Sequence, residues 1–149
     1  MPSFEKIAIT LMFVLCISQA GVSQEQRIKR SELPPAVEAT VAAQSQGATV
    51  RNLSVDVERG HTYYEVELTA NGHNKDVLVD SQGNVVEVEE QVEVESLPPA
   101  VRNGLLAKAG KGKLVKVESI TKRCKLVAYE AQVSTDGKRS EVQVGPDGK

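Results

Sequence analysis

The residues best suited to chemistry in this chain are its two histidines, His61 and His73. His61 lies in a predicted Arg-Gly-His-Thr turn, and His73 directly follows Asn71-Gly72. Neither has a cysteine or second histidine at the spacing of a zinc site. No serine stands in a nucleophile elbow, and no glycine-rich phosphate loop occurs. We therefore predict solvated turn histidines in a protein that is not an enzyme and has no cofactor.

A row of acidic side chains offers a second possibility. Glu87, Glu89, Glu93 and Glu95 alternate with valines over much of a predicted strand, Val85 to Val94. Carboxylates bind hard cations such as calcium. However, no loop would close a coordination shell around a straight strand, so we interpret the row as a solvated strand face. A cation-binding or envelope-sensing module that uses these four residues remains the alternative function.

The two halves of the chain differ in charge. Ser31 to Glu93 contains 12 acidic and 3 basic residues, a net −9, whereas Val94 to Lys149 contains 6 acidic and 11 basic residues, a net +5. Nucleic acid is a poor partner because aromatic stacking residues and a recognition module are missing. The basic half could contact the acidic half or an acidic external protein. Cys124 lies among these cations and is interpreted as an incidental thiol.

An internal duplication organises the chain. The pentapeptide Leu-Pro-Pro-Ala-Val occurs at 33–37 and again 64 residues later, at 97–101. Three further landmarks repeat 65 residues apart: a tyrosine-glutamate segment, a turn dipeptide and a glycine. Such order at a fixed offset indicates tandem repeats. We predict repeat 1 at 31–94 and repeat 2 at 95–149.

Each repeat is predicted to be α+β, with a short helix packed on an antiparallel β-meander of three to four strands. Proline is tolerated in the first turn of a helix, so each pentapeptide starts a helix. The apolar stripes of these helices are Leu33, Val37, Val41 and Leu97, Val101, Leu105. Alternating apolar residues predict the strands, and Asn-Gly or Asp-Gly dipeptides predict the hairpin turns. Repeat 2 lacks a counterpart of the strand at 85–94, so the Glu141–Val144 edge is predicted to pair with a partner or a second copy.

The N-terminus has the features of a signal peptide. Lys6 precedes an apolar run, and small residues follow at Ser18 and Ala20. We predict a signal peptide at 1–20, a linker at 21–30 and a mature chain that starts at Gly21. The protein would then be secreted or periplasmic, without a stable membrane anchor after cleavage. Its partner would be another exported protein.

The pentapeptide, the Tyr-Glu-Val-Glu-Leu strand, the Asn-Gly turn and the Asp-Ser-Gln-Gly-Asn turn together resemble the PepSY-like domains. These domains are related in fold to the β-lactamase inhibitory protein. The resemblance implies an exported, non-enzymatic module that binds or inhibits proteins such as peptidases. An inhibitor of this kind would present a sheet face or hairpin loops to its target. The candidate binding elements are Tyr63, which we expect beside the 71–74 loop, and the 134–139 loop of repeat 2. The predicted binding residues are Tyr63, Asn71, Gly72, His73, Asp136, Gly137, Lys138 and Arg139.

Overall fold

The computed structural model describes residues 25–149, which form one antiparallel sheet of eight strands and two α-helices. The helices are α1 (Pro35–Gln44) and α2 (Pro99–Ala109). The strands are β1 (Gln26–Arg27), β2 (Thr49–Glu58), β3 (His61–Ala70), β4 (His73–Asp80), β5 (Val85–Val92), β6 (Lys113–Lys122), β7 (Lys125–Thr135) and β8 (Lys138–Val144). The predicted α+β class is confirmed.

The sheet is a single meander in which each strand pairs with the next one in the chain. Repeat 1 contributes β2 to β5 and repeat 2 contributes β6 to β8. The two repeats are joined by the β5–β6 pair, in which Val88 is opposite Thr121 and Val92 is opposite Val117. The repeats therefore share one sheet.

The helices begin and pack as their sequences predict. Pro35 and Pro99 each occupy the first helical position, where a missing N–H removes no helical hydrogen bond. Val37 and Val41 of α1 are buried, as are Val101 and Leu105 of α2. Each helix therefore covers the core of its own repeat.

Both helices lie on the same face of the sheet. In repeat 1 the buried partners of α1 include Val66 and Val77, which are directly opposite each other. The register continues from Val77 to Val88 and across β5–β6 onto the side of β6 that carries Val117, which belongs to the core under α2. The opposite side of the sheet is therefore left without a helix among the described residues.

The turn after β4 and the turn after β8 each contain a glycine that lies very close to the helix of the same repeat. A Cβ at Gly83 would lie 2.6 Å from the carbonyl oxygen of Ala36, and Gly148 approaches Ala100 in the same way. Both glycines also have positive φ, at 85° and 80°. In repeat 1, the hydroxyl of Thr40 donates a hydrogen bond of 2.6 Å to the carbonyl of Gly83. In each repeat, a glycine of the turn therefore packs directly against the first turn of the helix.

The structure differs from the sequence predictions at the linker and at the end of β5, and it does not describe the predicted signal peptide. Gln26 and Arg27, within the predicted linker, pair with β2, and Ile28 packs against the first core. β5 ends at Val92, two residues earlier than predicted. The predicted signal peptide, 1–20, lies outside the described residues. In residues 25–149, no helix has the length and apolar character needed to cross a membrane.

Candidate binding surface

The side of the sheet opposite the two α-helices carries most of the unusual chemistry. We call it the helix-free face and define it by Tyr63, Glu65, Asp76, Glu89 and Glu130, which project from β3, β4, β5 and β7. Its members share a side because of the strand register, since Asp76 is opposite Glu89. Most of its polar side chains are only partly accessible to solvent.

Four carboxyl groups on this face have strongly raised pKa values. Burial is the main cause in each case, and repulsion from neighbouring carboxylates adds to it. The pKa rises to about 8 for Glu89, to about 7 for Glu65, and to about 6 for Asp76 and Glu130. Glu89 is affected most because Glu87, Glu118 and Glu130 surround it in addition to its burial.

Basic side chains offset part of this negative charge. Arg51 places one guanidinium nitrogen 3.1 Å from Glu67 and the other 3.3 Å from Asp76. Lys116 lies 2.6 Å from Glu118, whose residue exposure is only 7%. Within residues 25–149, no basic side chain forms an ion pair with Glu65 or Glu89, which is consistent with the higher pKa values of these two groups.

Lys122 provides a further positive charge at the seam between the repeats. Its Nζ lies 3.5 Å from Oε2 of the buried Glu87. Burial raises the pKa of Glu87, and the lysine opposes that rise. The two side chains meet because Glu87 of repeat 1 is directly opposite Lys122 of repeat 2 in the β5–β6 pair.

A cleft opens at one end of this face. It has a volume of about 770 Å³ and lies between the β2–β3, β4–β5 and β6–β7 turns. Tyr63 lines it, with its ring 6.4 Å from that of His61, and Asp80 is opposite Tyr63 in the sheet. An aromatic ring beside charged groups in a cleft can provide apolar contact and hydrogen bonding to a protein side chain.

Tyr63 is not beside the 71–74 loop, so that expectation is wrong. The two sites lie at opposite ends of β3, and eight residues of extended strand span about 26 Å. The alternation of hairpins in a meander places successive turns at opposite ends of the sheet. Tyr63 therefore belongs to the cleft.

The two predicted hairpin turns form as expected. Asn71 and Gly72 have φ of 52° and 82°, and Asp136 and Gly137 have φ of 50° and 77°. Both turns lie at the end of the sheet away from the cleft, but four strand spacings separate them, about 19 Å. The predicted binding residues therefore do not form one site.

The residues that flank these turns have separate environments. His73 begins β4, and its Nε2 lies 2.9 Å from Oε1 of Glu93. Lys138 and Arg139 begin β8 and are exposed. Neither pair approaches the cleft, which lies at the other end of the sheet.

The predicted glutamate row does not remain on one strand face. Glu87 and Glu89 lie on the helix-free face, but Glu93 follows the end of β5 and Glu95 lies in a 3-10 turn, Val94–Ser96. Glu87 is also buried rather than solvated, with 5% exposure. Among residues 25–149, no group of three or more His, Cys, Asp or Glu side chains is arranged to hold a metal ion.

A family model described as "Putative beta-lactamase-inhibitor-like, PepSY-like" matches residues 21–87 and again residues 62–149. The chain belongs to this family. The double match agrees with the tandem repeats, since a PepSY-like segment is found in each half of the chain. No curated protein matches the sequence.

Solved structures share the fold of this PepSY-like protein. A DUF2874 family protein from Bacteroides uniformis has a TM-score of 0.62 at 20% identity, over 78% of this chain and 84% of that one. A protein described as "putative periplasmic" from Bacteroides eggerthii has a TM-score of 0.64 at 16% identity, over 78% of this chain and 84% of that one. A BLIP-like protein from Bacteroides fragilis has a TM-score of 0.58 at 18% identity, over 78% and 82%. At these identities the likeness establishes the fold alone.

The sequence analysis of this PepSY-like protein missed the acidic centre of the helix-free face. Glu65 lies in the predicted Tyr-Glu-Val-Glu-Leu strand, but the sequence analysis assigns no function to it, nor to Asp76, Glu118 or Glu130. Each is acidic and shares its strand with apolar residues that face the core, which is the available signal. Their proximity depends on the register of β3 through β7, which the local sequence does not specify.

Proposed function

We propose that this PepSY-like chain is an exported, non-catalytic protein-binding module that uses its helix-free face. The observation that carries the proposal is the set of partly buried carboxyl groups on that face, with no α-helix over them among the described residues. Grouping Glu65, Asp76 and Glu89 in this way opposes folding, because burial and mutual repulsion both disfavour their charged forms. Perturbed groups of this kind are concentrated at functional sites.

The chemistry of the face suggests how it would bind. Leu78 lies between Glu65 and Glu87 in the sheet and offers apolar contact, while Tyr63 adds an aromatic contact in the cleft. A partner surface that carries lysine or arginine beside an apolar side chain would complement this pattern. Binding would bring cations to carboxyl groups that lack them in the free protein.

Export and enzyme inhibition are the finer parts of the proposal. A signal-like N-terminal sequence and relatives described as periplasmic or BLIP-like support them. An inhibitor of this type would occlude the active site of an exported enzyme, such as a peptidase, by surface complementarity. It would need no catalytic group of its own.

The cation-binding alternative has less support. Its four glutamates are divided between β5 and the segment after it. Glu87 contacts Lys122 and Glu93 contacts His73, so two of the four carboxylates already have partners. We therefore do not propose a metal site.

Site-specific photo-crosslinking can locate the binding face in the native host. A photoreactive residue is placed at Leu78, on the helix-free face, or at Leu106, which is 47% exposed on α2. We expect position 78 to capture a defined exported protein and position 106 to capture none. The captured protein is then purified, and its affinity is measured by calorimetry.

Matched variants test whether the face itself is responsible. Leu78→Asp should weaken binding at least tenfold, because it removes the apolar contact that Leu78 offers to the apolar side chain of the partner, whereas Leu106→Asp should leave affinity unchanged. Equal affinity of both variants would exclude the helix-free face as the site. If the partner is an enzyme, its activity should fall as the wild-type protein approaches equimolar concentration.

A further inference from the structure

The outer edge of β8 is a second surface, separate from the helix-free face. β8 pairs with β7 on one side, and no described strand lies on its other side. Lys138, Arg139 and Ser140 are exposed along it. The opposite edge of the sheet differs, because β1 pairs with part of β2 there. β8 is thus the more accessible of the two edges for strand pairing.

Repeat 1 shows how such an edge is completed. The strand that corresponds to β8 is β4, and its outer side is covered by β5, with Asp76 opposite Glu89 and Val77 opposite Val88. In repeat 2 the chain after β8 instead turns at Gly145 and brings Gly148 against Ala100 of α2. Among residues 25–149, β8 therefore has one neighbouring strand, whereas its counterpart β4 has two.

The backbone direction along this edge can be assigned. Lys108 donates a hydrogen bond of 2.6 Å to the carbonyl oxygen of Gln143, which indicates that this carbonyl faces away from β7. In an antiparallel ladder the direction alternates with each residue. Arg139 and Glu141 therefore also point their backbone N–H and C=O groups outward, toward any added strand.

The charges on this edge are complementary to themselves. If two β8 strands pair antiparallel about Ser140, Arg139 of each copy lies opposite Glu141 of the other. Both residues have outward-facing backbone groups, so this register gives hydrogen-bonded pairs, with opposite charges directly across. The carbonyl of Gln143, already bonded to Lys108, lies outside those pairs. A register centred on Glu141 would instead place two glutamates opposite each other.

We propose that two copies of this protein associate through antiparallel β8–β8 pairing centred on Ser140. The two sheets then join into one of sixteen strands, twice the eight of each copy, with two Arg139–Glu141 ion pairs across the junction. The partner is a second copy of this chain, because its own edge supplies the matching charge pattern. This association uses β8 rather than the cleft and is independent of the proposed binding function.

Charge reversal provides a sharp test in the full exported chain. Sedimentation should show that the wild type dimerises. Arg139→Glu and Glu141→Arg, each alone, should weaken dimerisation at least tenfold, because like charges then face each other. Mixing the two single variants should restore dimers, since one copy has only glutamates and the other only arginines at these positions. Lys29→Glu, a similar charge change at an exposed residue that follows β1 at the opposite edge of the sheet, is the matched control.

Several outcomes would overturn the proposal. One is a wild-type protein that stays monomeric at millimolar concentration. Another is a set of single variants that associate as tightly as the wild type, or a mixture that fails to form dimers although both variants are folded by circular dichroism. Hydrogen exchange adds a direct check, since the amides of Arg139 and Glu141 should become protected only on dimerisation. Protection of these amides in a monomer would mean that another strand covers the edge.

Discussion

Replacing Glu89 by glutamine should stabilise the folded protein at pH 8. Burial and the neighbouring carboxylates raise the pKa of this group from 4.5 to about 8. The folded state therefore holds a proton that the unfolded chain releases between these two values. The stability that this proton provides is complete below pH 4.5, falls progressively as the pH rises from 4.5, and is lost once the pH has risen through 8. Glutamine removes the charged form and with it this loss.

The size of the effect follows from the two pKa values. The interval from 4.5 to about 8 corresponds to about 5 kcal/mol, at about 1.4 kcal/mol per pH unit. Glu89 is only partly buried and its neighbours share the charge, so screening reduces the expected gain to about 1–3 kcal/mol. For a chain of this length, Tm should rise by about 3–10 °C.

Urea and thermal unfolding at pH 8 and pH 5 provide the assay. At pH 5 most of the gain from Glu89→Gln should disappear, because the folded wild type is then protonated at this position. The wild type should itself be more stable at pH 5 than at pH 8. Glu90→Gln is the matched control, since Glu90 is exposed on the other side of the same strand. A gain of equal size at both pH values, or no gain at pH 8, would refute this reasoning.

Three further substitutions test the framework of the fold by urea unfolding. Val101→Asp should lower the free energy of unfolding by about 4 kcal/mol, because it buries an unpaired charge under α2. Gly83→Ala should cost about 2–4 kcal/mol, because the new Cβ would meet the Ala36 carbonyl and φ is 85°. Cys124→Gly should gain about 0.5–1 kcal/mol, because Cys124 has a φ of 63° and glycine adopts positive φ freely.

Controls separate these causes from general sensitivity to substitution. Gly60→Ala also places alanine at positive φ, 81°, but in open space, so it should cost only about 1 kcal/mol. Cys124→Ala keeps the strained backbone and should bring no gain. An unchanged Tm for Val101→Asp would show that the helix stripe is not buried. Equal costs at Gly60 and Gly83 would contradict the contact with α1, and equal stability of the two Cys124 variants would contradict the strain.

The sequence was sufficient to predict both helices and the hairpin turns because their signals are local. The prolines at 34–35 fix a helix start, Val37 and Val41 are one helical turn apart, and Asn71-Gly72 specifies a tight turn. The duplication strengthened each of these signals by showing it twice. The helix starts, the hairpin turns and the fold class could therefore all be predicted before the strand order was known.

The candidate site could not be predicted in the same way, because it depends on contacts between distant residues. Glu89 and Glu118 influence each other only because β5 pairs with β6 across the segment that contains α2. The expected position of Tyr63 beside the 71–74 loop is wrong because successive hairpin turns lie at opposite ends of a meander. Residues that are close in the sequence can therefore lie at opposite ends of one strand. The strand at Gln26–Arg27 was missed because two polar residues carry no periodic signal.

The hydrogen-bonded pairing of β5 with β6 has a consequence for the thermodynamics of recognition. Tandem modules joined by a flexible linker must lose relative motion when one ligand contacts both, and this loss weakens binding. Here the junction is a ladder from Glu87–Lys122 to Val92–Val117, so the relative orientation of the two halves is fixed during folding. A partner that contacts both repeats therefore binds a surface that is already ordered. Little binding free energy is lost in fixing the two repeats relative to each other.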